Sequence, residues 1–408
     1  MTASFPPIAP DARVVIVGGG VAALEATLAL RALGADRLEL VIVSADPVFR
    51  YRPLSVLTPF DHDPAPEVPL SALAASEGAE LIVGEVSAVD TDARIVRTAP
   101  GGVIPYDVLI ACLGAAPIMA VPGAVTFGGP RDIPAIQELL AEIDAGSANS
   151  IAFAYGGGPA WPFPLAELAL LTATHARRRG LPAEVAFVTP ESEPLSMLGP
   201  AASATTRELM TGLGITIHTD RYPVAFSGDR LSLVPHGELA ADRCVSIPRL
   251  VGPGLPGLPQ DDMGFIPIGR HAEVIGVNDV FAAGDATTFP LKHGGIASQE
   301  ADAAAEVIAA RAGAPITPQP FRPVVRGLLL AGRFGARMQT ELSGAGGDPE
   351  PPEPVTLWST PAKLYGRFIG PYLERHAGVR ATADEPGDGT LEVDVEIDPA
   401  AQPLRPVG

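Results

Sequence analysis

Gly18, Gly20 and Ala23 occupy the first, third and sixth places of the window GGGVAA, directly after the β-branched run RVVIV at 13–17. Each has its own physical reason to be small. Gly18 lets the chain turn tightly out of a strand, and Gly20, lacking a Cβ, lets a pyrophosphate reach the backbone. A small residue at Ala23 lets the following helix pack closely on the sheet. That helix, expected over 21–33, would present free N–H groups and its positive dipole end to the phosphates. Strand before and helix after are the context that makes this spacing a nucleotide site.

The acid that grips a ribose hydroxyl usually ends the second strand, and here that place reads Val43-Ser44-Ala45-Asp46. Ser44 and Asp46 both qualify, and the residues leave the choice open. Two other pieces fit an adenosine pocket: Val86, on a strand that could pass beside the adenine, and Arg50 and Arg52, cations in the next loop. For the two arginines a solvated loop charge is the alternative. Far along the chain, the run 280–283 ends in Gly284-Asp285, followed by Phe289-Pro290-Leu291-Lys292-His293-Gly294-Gly295 and a helix over 295–310. A carboxylate at a strand end can accept a hydrogen bond from a polyol hydroxyl. The next helix aims N–H groups at whatever carries negative charge.

The elements that must position these groups are α/β throughout. Strand, glycine turn, helix and strand (38–43) form a βαβ unit with a parallel sheet. Short strands are expected at 80–83, 86–90, 93–98 and 106–113. A second α/β passage opens near 150, with helices over 165–178 and 201–213, and could be a related unit. A tail helix is expected over 361–376. There Tyr365, Phe368, Ile369, Tyr372 and Leu373 line one apolar face, with Lys363, Arg367 and Arg375 nearby.

At 408 residues the chain has room for two or three domains. Its 44 glycines and 44 prolines are dispersed, as tight turns between short elements require. A net charge of −19 excludes a nucleic-acid binder, which needs cationic surface. The two cysteines, Cys112 and Cys244, are too few for a disulfide framework or a structural zinc site, and no metal site is expected. No basic leader precedes an apolar core, and no apolar run reaches the ~18 residues of a spanning helix. The expectation is a cytoplasmic protein, at most peripheral to a membrane.

GxGxxA at 18–23, YDVLIACLGAAP at 106–117 and DVFAAGDAT at 279–287 together resemble the flavoprotein family of pyridine-nucleotide-disulfide reductases. FPLKHGGIASQEADAAAEVIA at 289–309 is similar to the branch holding sulfide:quinone oxidoreductases, flavocytochrome c sulfide dehydrogenases and type II NADH dehydrogenases. The resemblance implies FAD and two interleaved Rossmann-like, doubly wound α/β domains with a C-terminal flavin-covering segment. Residues 1–119 and 247–325 would bind FAD, 120–246 would form a second, degenerate nucleotide-binding-like domain, and 326–408 would cap. Gly18, Gly20, Ala23, Gly114, Gly284 and Asp285 would touch FAD, with Lys292, His293, Gly294 and Gly295 near the isoalloxazine. Lys292 would stabilise the anionic reduced ring, and His293 could give a proton to flavin or substrate.

The sequence also departs from that family. Where sulfide oxidation uses a cysteine at the opening of a helix, this chain reads Pro159-Ala160-Trp161-Pro162-Phe163-Pro164. Both of its cysteines sit in apolar strands, where a small buried hydrophobe is the plainer reading. The second glycine loop, Gly156-Gly157-Gly158, runs into prolines that have no N–H to offer a phosphate. Trp161 and Phe163 would instead wall a substrate pocket. The expected function is a FAD enzyme passing electrons from a small donor to a quinone-like acceptor without persulfide chemistry. The rivals are an NAD(P)H-dependent quinone or carrier reductase and a non-catalytic flavoprotein subunit or redox sensor. Weak membrane-surface contact through the tail helix and a homodimer are compatible with all three.

Overall fold

The run after the leader forms β1 (Ala12–Val17), the glycine turn follows, and α1 is Val21–Gly34. The computed structural model describes residues 5–331 other than His236, together with 334–341, 363–377 and 390–394. β2 (Leu38–Ser44) lies parallel to β1, and β3 (Glu80–Val83) parallel to β2. β4 (Val108–Ala111) stands on the other side of β1, also parallel. β1 and β4 are buried almost throughout, as strands covered on both faces are, so they read as unbroken apolar runs. An antiparallel meander, Glu85–Asp90, Ile95–Ala99 and Gly102–Pro105, lies between β3 and β4 in the chain.

The second passage gives β5 (Ser150–Ala154), α2 (Phe163–Arg179), β6 (Glu184–Val188), β7 (Thr216–His218) and β8 (Arg243–Ser246). β5 lies between β6 and β8, with β7 beyond β6 and Val125–Thr126 beyond β8, all parallel. β9 (Val280–Ala282) then returns beside β4, and α3 (Gly294–Arg311) follows. In both five-stranded parallel sheets the strand that leads into the glycine loop, β1 in one and β5 in the other, stands in the middle. This is the pair of Rossmann-like sheets expected from the sequence.

α1 and α3 pack through alanines, Ala22, Ala26 and Ala29 meeting Ala297, Ala301, Ala304 and Ala305, so the two backbones approach closely. Strand ends align: Val17 is opposite Val43 and Ala111, and Ala282 is opposite Ala111. The loops after β1, β2, β4 and β9 therefore open along one edge. The order of strands reverses at β1, which leaves a crevice there.

The tail departs from expectation. Val324–Ala331 pairs antiparallel with Phe334–Glu341, to which Thr390–Asp394 adds in parallel. The helix expected over 361–376 begins only at Ile369 (α4, Ile369–Ala377); 361–362 and the irregular stretch 344–354 lie outside the described residues. The apolar pattern runs on, but at Gly366 the chain turns so tightly that a Cβ would lie 2.3 Å from Ile369 Cγ2. Ile369, Tyr372 and Leu373 pack among Leu24, Leu28, Leu70 and Leu73, so the stripe faces the protein's own core. Each such side chain stabilises docking by about 1.5–3 kcal/mol. Among the described residues no helix is long and apolar enough to cross a membrane.

Candidate active site

At the first glycine turn, three adjacent residues meet different surroundings. Gly18 has φ +126°, and a Cβ there would lie 2.1 Å from the Cys112 carbonyl oxygen. A Cβ on Gly19 would meet Ser44 Oγ at 2.5 Å. One on Gly20 would meet nothing within 4 Å, and Gly114, after β4, is equally open. The chain packs tightly into the strand ends and then leaves its backbone bare at the mouth of the crevice. Leu24 N–H bonds Gly20 O at 3.1 Å, so the N–H groups of the turn before it face outward.

Ser44 Oγ donates to Asp46 O at 2.7 Å and keeps lone pairs to accept. The Asp46 carboxylate is engaged within its own loop, accepting from Val48 N–H at 3.1 Å and paired with Arg50. Ala23 is buried in the α1–α3 contact, and Val86 lies half-buried against the cluster around Val15, Val17 and Val43. Arg52 is exposed, but its charge reaches Asp285.

Gly284 adopts φ +84°, with Ala22 and Ala297 Cβ atoms 3.3 Å from where its own would be. Asp285 next to it lies deep, keeps part of its surface open, and accepts no hydrogen bond from any described residue. Burial raises its pKa, while the Lys292 and Arg52 charges oppose the rise. Beneath it, Glu300 of α3 accepts from Gly284 N–H at 2.6 Å and Thr287 Oγ1 at 3.1 Å. Lys292 Nζ donates to Thr287 O at 2.5 Å and sits 3.9 Å from the Phe265 ring centroid. Burial pushes Lys292 down to about 8 against the pull of Asp285 and Glu300, and pushes Glu300 up to about 8.

His293 caps α3: its Nδ1 accepts from Gly295 N–H at 3.2 Å. In the neutral ring the proton then belongs on Nε2. Burial, and secondarily the Lys363 charge, lowers its pKa to about 4, so the ring is neutral at pH 7. The Trp161 ring lies against it, tilted by 51° with centroids 4.5 Å apart, and its centroid lies 4.4 Å from that of Phe163. Gly294 lies under Leu364, whose Cδ1 is 2.3 Å from its Cβ position, and close to Val21. The structure thus brings the N-terminal ends of α1, α2 and α3 toward one region, although they belong to different sheets.

The family profile described as pyridine nucleotide-disulphide oxidoreductase matches residues 12–306. The chain belongs to that family. It is an oxidoreductase of a flavin-dependent family. The chain is 27% identical over 292 residues to the NADH dehydrogenase-like protein MT1860 of Mycobacterium tuberculosis, covering 67% of this chain and 72% of the relative. Its fold is similar to sulfide:quinone oxidoreductase from Aquifex aeolicus, with TM-score 0.70 and 20% identity over 79% of this chain and 82% of that one. It is similar too to putidaredoxin reductase in its covalent complex with putidaredoxin, with TM-score 0.62 and 18% identity over 80% and 81% of the chains.

The second glycine loop of this oxidoreductase, after β5, is filled by its own side chains. A Cβ on Gly158 would lie 3.0 Å from Arg249 Nε, one on Gly157 3.4 Å from Pro190, and one on Gly156 2.9 Å from Ala120. Pro164 stands in the first turn of α2. Glu191, just past β6, accepts from Leu195 and Met197 N–H, each at 3.2 Å, and so holds its own loop. The cysteines of the oxidoreductase are buried, Cys112 directly after β4 at 4% exposure and Cys244 within β8 at 1%. Burial raises both thiols, Cys244 to about 12.

Sequence reasoning passed over the buried acids. Glu167 of α2 is wholly buried, with Oε2 2.6 Å from Lys363 Nζ and Oε1 accepting from Leu330 N–H at 2.9 Å. Lys363 also donates to Pro53 O at 2.9 Å, so one ion pair ties α2, the 51–54 turn and the tail together. Burial raises Glu167 and lowers Lys363. The available signal was an acid inside an Ala/Leu run, as in PLAELALL at 164–171, since unpaired carboxylates are almost never fully buried.

Proposed function

We propose that this oxidoreductase binds FAD across the first glycine turn and passes electrons from a small donor to a quinone-like acceptor, without cysteine persulfide chemistry. The contrast between the two glycine loops carries this reading: nothing lies within 4 Å of a Cβ on Gly20, whereas Arg249 stands 3.0 Å from one on Gly158. Two fixed features fit the cofactor. The bare turn at Gly18 and Gly20 and the end of α1 fit its pyrophosphate. Asp285, deep and without a hydrogen-bond partner among the described residues, fits a ribityl hydroxyl. When bound, FAD supplies the two-electron chemistry.

The protein groups supply position and charge. Lys292, cationic below about pH 8, and the N-terminus of α3 favour negative charge at Gly294 and Gly295. His293 is held neutral with Nε2–H as its single donor, beside the Trp161 and Phe163 rings that shape one wall. Glu167 and Lys363 keep a buried proton-bearing pair near that wall, which suits an acceptor that must gain protons with its electrons. The buried, high-pKa cysteines support a route without thiolate.

The second reading is reduction by NAD(P)H, favoured by the NADH dehydrogenase-like relative from M. tuberculosis. Anaerobic titration of the FAD-loaded protein with NADH, NADPH and sulfide, following flavin absorbance, separates the two. We expect no rapid bleaching by any of these, and fast reoxidation of the dithionite-reduced protein by a soluble quinone. Rapid bleaching by NADH or NADPH would establish the second reading. Bleaching by sulfide with a charge-transfer band would overturn the argument from the cysteines.

A further inference from the structure

Two carboxyl groups outside this chemistry lie side by side where α1, α3 and the tail meet. Glu25 of α1 is wholly buried, accepting from Phe368 N–H through Oε1 at 2.9 Å and from Ile369 N–H through Oε2 at 2.5 Å. A carboxylate on one helix thereby caps the start of another, α4, more than 340 residues away in the chain. Asp302 of α3 stands beside it, its Oδ1 buried and without a hydrogen-bond partner. The charged groups facing the pair are Arg367 from the tail and Glu306 from α3, which pair with each other at 3.2 Å. Gly366 is pressed into the same spot: a Cβ there would lie 2.9 Å from Glu25 Oε2 and 2.8 Å from Ser298 Oγ.

The anchored segment runs directly back over the candidate site. Leu364 lies on Gly294 and the Tyr365 carbonyl 3.5 Å from the Cβ position of Gly295, while Leu364 N–H is held by Tyr51 Oη at 2.8 Å. We infer that Glu25 is the positioning residue that seats the covering segment on the N-terminus of α3, and that it does so while Glu25 and Asp302 share a single proton. With that proton in place the pair carries one negative charge, to which the two tail N–H groups donate. Removing it leaves two carboxylates side by side where burial disfavours charge, with Arg367 already engaged by Glu306.

The sign follows from where the proton sits. Burial first, then the Glu25 charge, pushes Asp302 up to about 9. The docked state keeps the proton, while an undocked, hydrated Asp302 releases it near the ordinary carboxylate value. Docking is therefore complete at low pH, weakens by up to about tenfold per pH unit as pH rises, and stops weakening beyond about 9.

The docking does not depend on the flavin; only its consequence at the site rests on the proposed function. The test is hydrogen exchange at Phe368 and Ile369 in the full chain, corrected for intrinsic rates, from pH about 6 to about 10. Wild-type protection falls with pH, whereas Asp302→Asn, isosteric and permanently neutral, holds it flat. Glu25→Gln, which keeps one acceptor oxygen, loses about tenfold or more of the protection at pH about 6 and, with no second carboxylate to repel, falls less steeply with pH than the wild type. Wild-type protection that does not change with pH, or an Asp302→Asn profile that follows the wild type, overturns the inference. FAD retention is then followed in the same two proteins. Retention that ignores a pH-dependent docking would count against the flavin reading and leave the docking intact.

Discussion

Trp161 and His293 face each other with ring centroids 4.5 Å apart, the first at the entry to α2 and the second capping α3. This contact joins the helices of two different sheets at the region toward which the glycine turn opens. It also keeps water from the imidazole, whose burial holds it neutral.

Trp161→Ala should therefore raise the His293 pKa from about 4 toward the ordinary 6.5. In the wild type the stability contribution of neutral His293 is complete above the ordinary pKa and is lost as pH falls toward about 4. In the variant that window narrows. A histidine NMR titration reads the shift directly, and an unchanged midpoint refutes the role assigned to the indole.

Gly20→Val and Gly18→Ala should fail in opposite ways. The first fills open space and should lower flavin content at least about tenfold, with stability changed by no more than about 0.5 kcal/mol. The second forces a Cβ onto the Cys112 carbonyl at positive φ and should destabilise by more than about 2 kcal/mol. Flavin absorbance per protein and urea denaturation separate the two outcomes.

Lys363→Met leaves Glu167 charged and unpaired in the core and should cost about 3–5 kcal/mol. Adding Glu167→Leu should recover most of that stability, because the buried charge is gone. If the pair also supplies protons, the double variant should retain FAD yet reduce a soluble quinone at least about tenfold more slowly. Equal quinone rates would remove the pair from the chemistry.

Lys292 loses its charge as pH rises through about 8. The flavin midpoint potential should fall more steeply once the ammonium is gone, and Lys292→Met should start lower and lack that inflection. Potentiometric titration at several pH values reads this, and a variant with the wild-type profile would contradict the placement of Lys292 near the ring.

Much of the fold was legible because its signals are local. The run at 13–17, the glycines and the Ala/Leu helix lie within one βαβ unit, and the second unit repeats the plan. The buried acids were not legible, because their partners are remote. Lys363 lies 196 residues from Glu167, and Ile369 lies 344 residues from Glu25. The tail helix was read too long for a related reason. Helical periodicity runs on through Tyr365, but a tertiary contact at Glu25 decides where the backbone bends and the helix begins.

The two glycine loops divide what sequence determined from what tertiary structure decided. Composition and spacing alone determined that each loop follows a strand and precedes a helix, since strand and helix patterns repeat within a few residues. Only the folded chain decided which loop stays open. Gly20 faces empty space, whereas Gly156, Gly157 and Gly158 are covered by Ala120, Pro190 and Arg249. Those side chains come from segments 33 to 91 residues away, so no window around either glycine run could contain the answer.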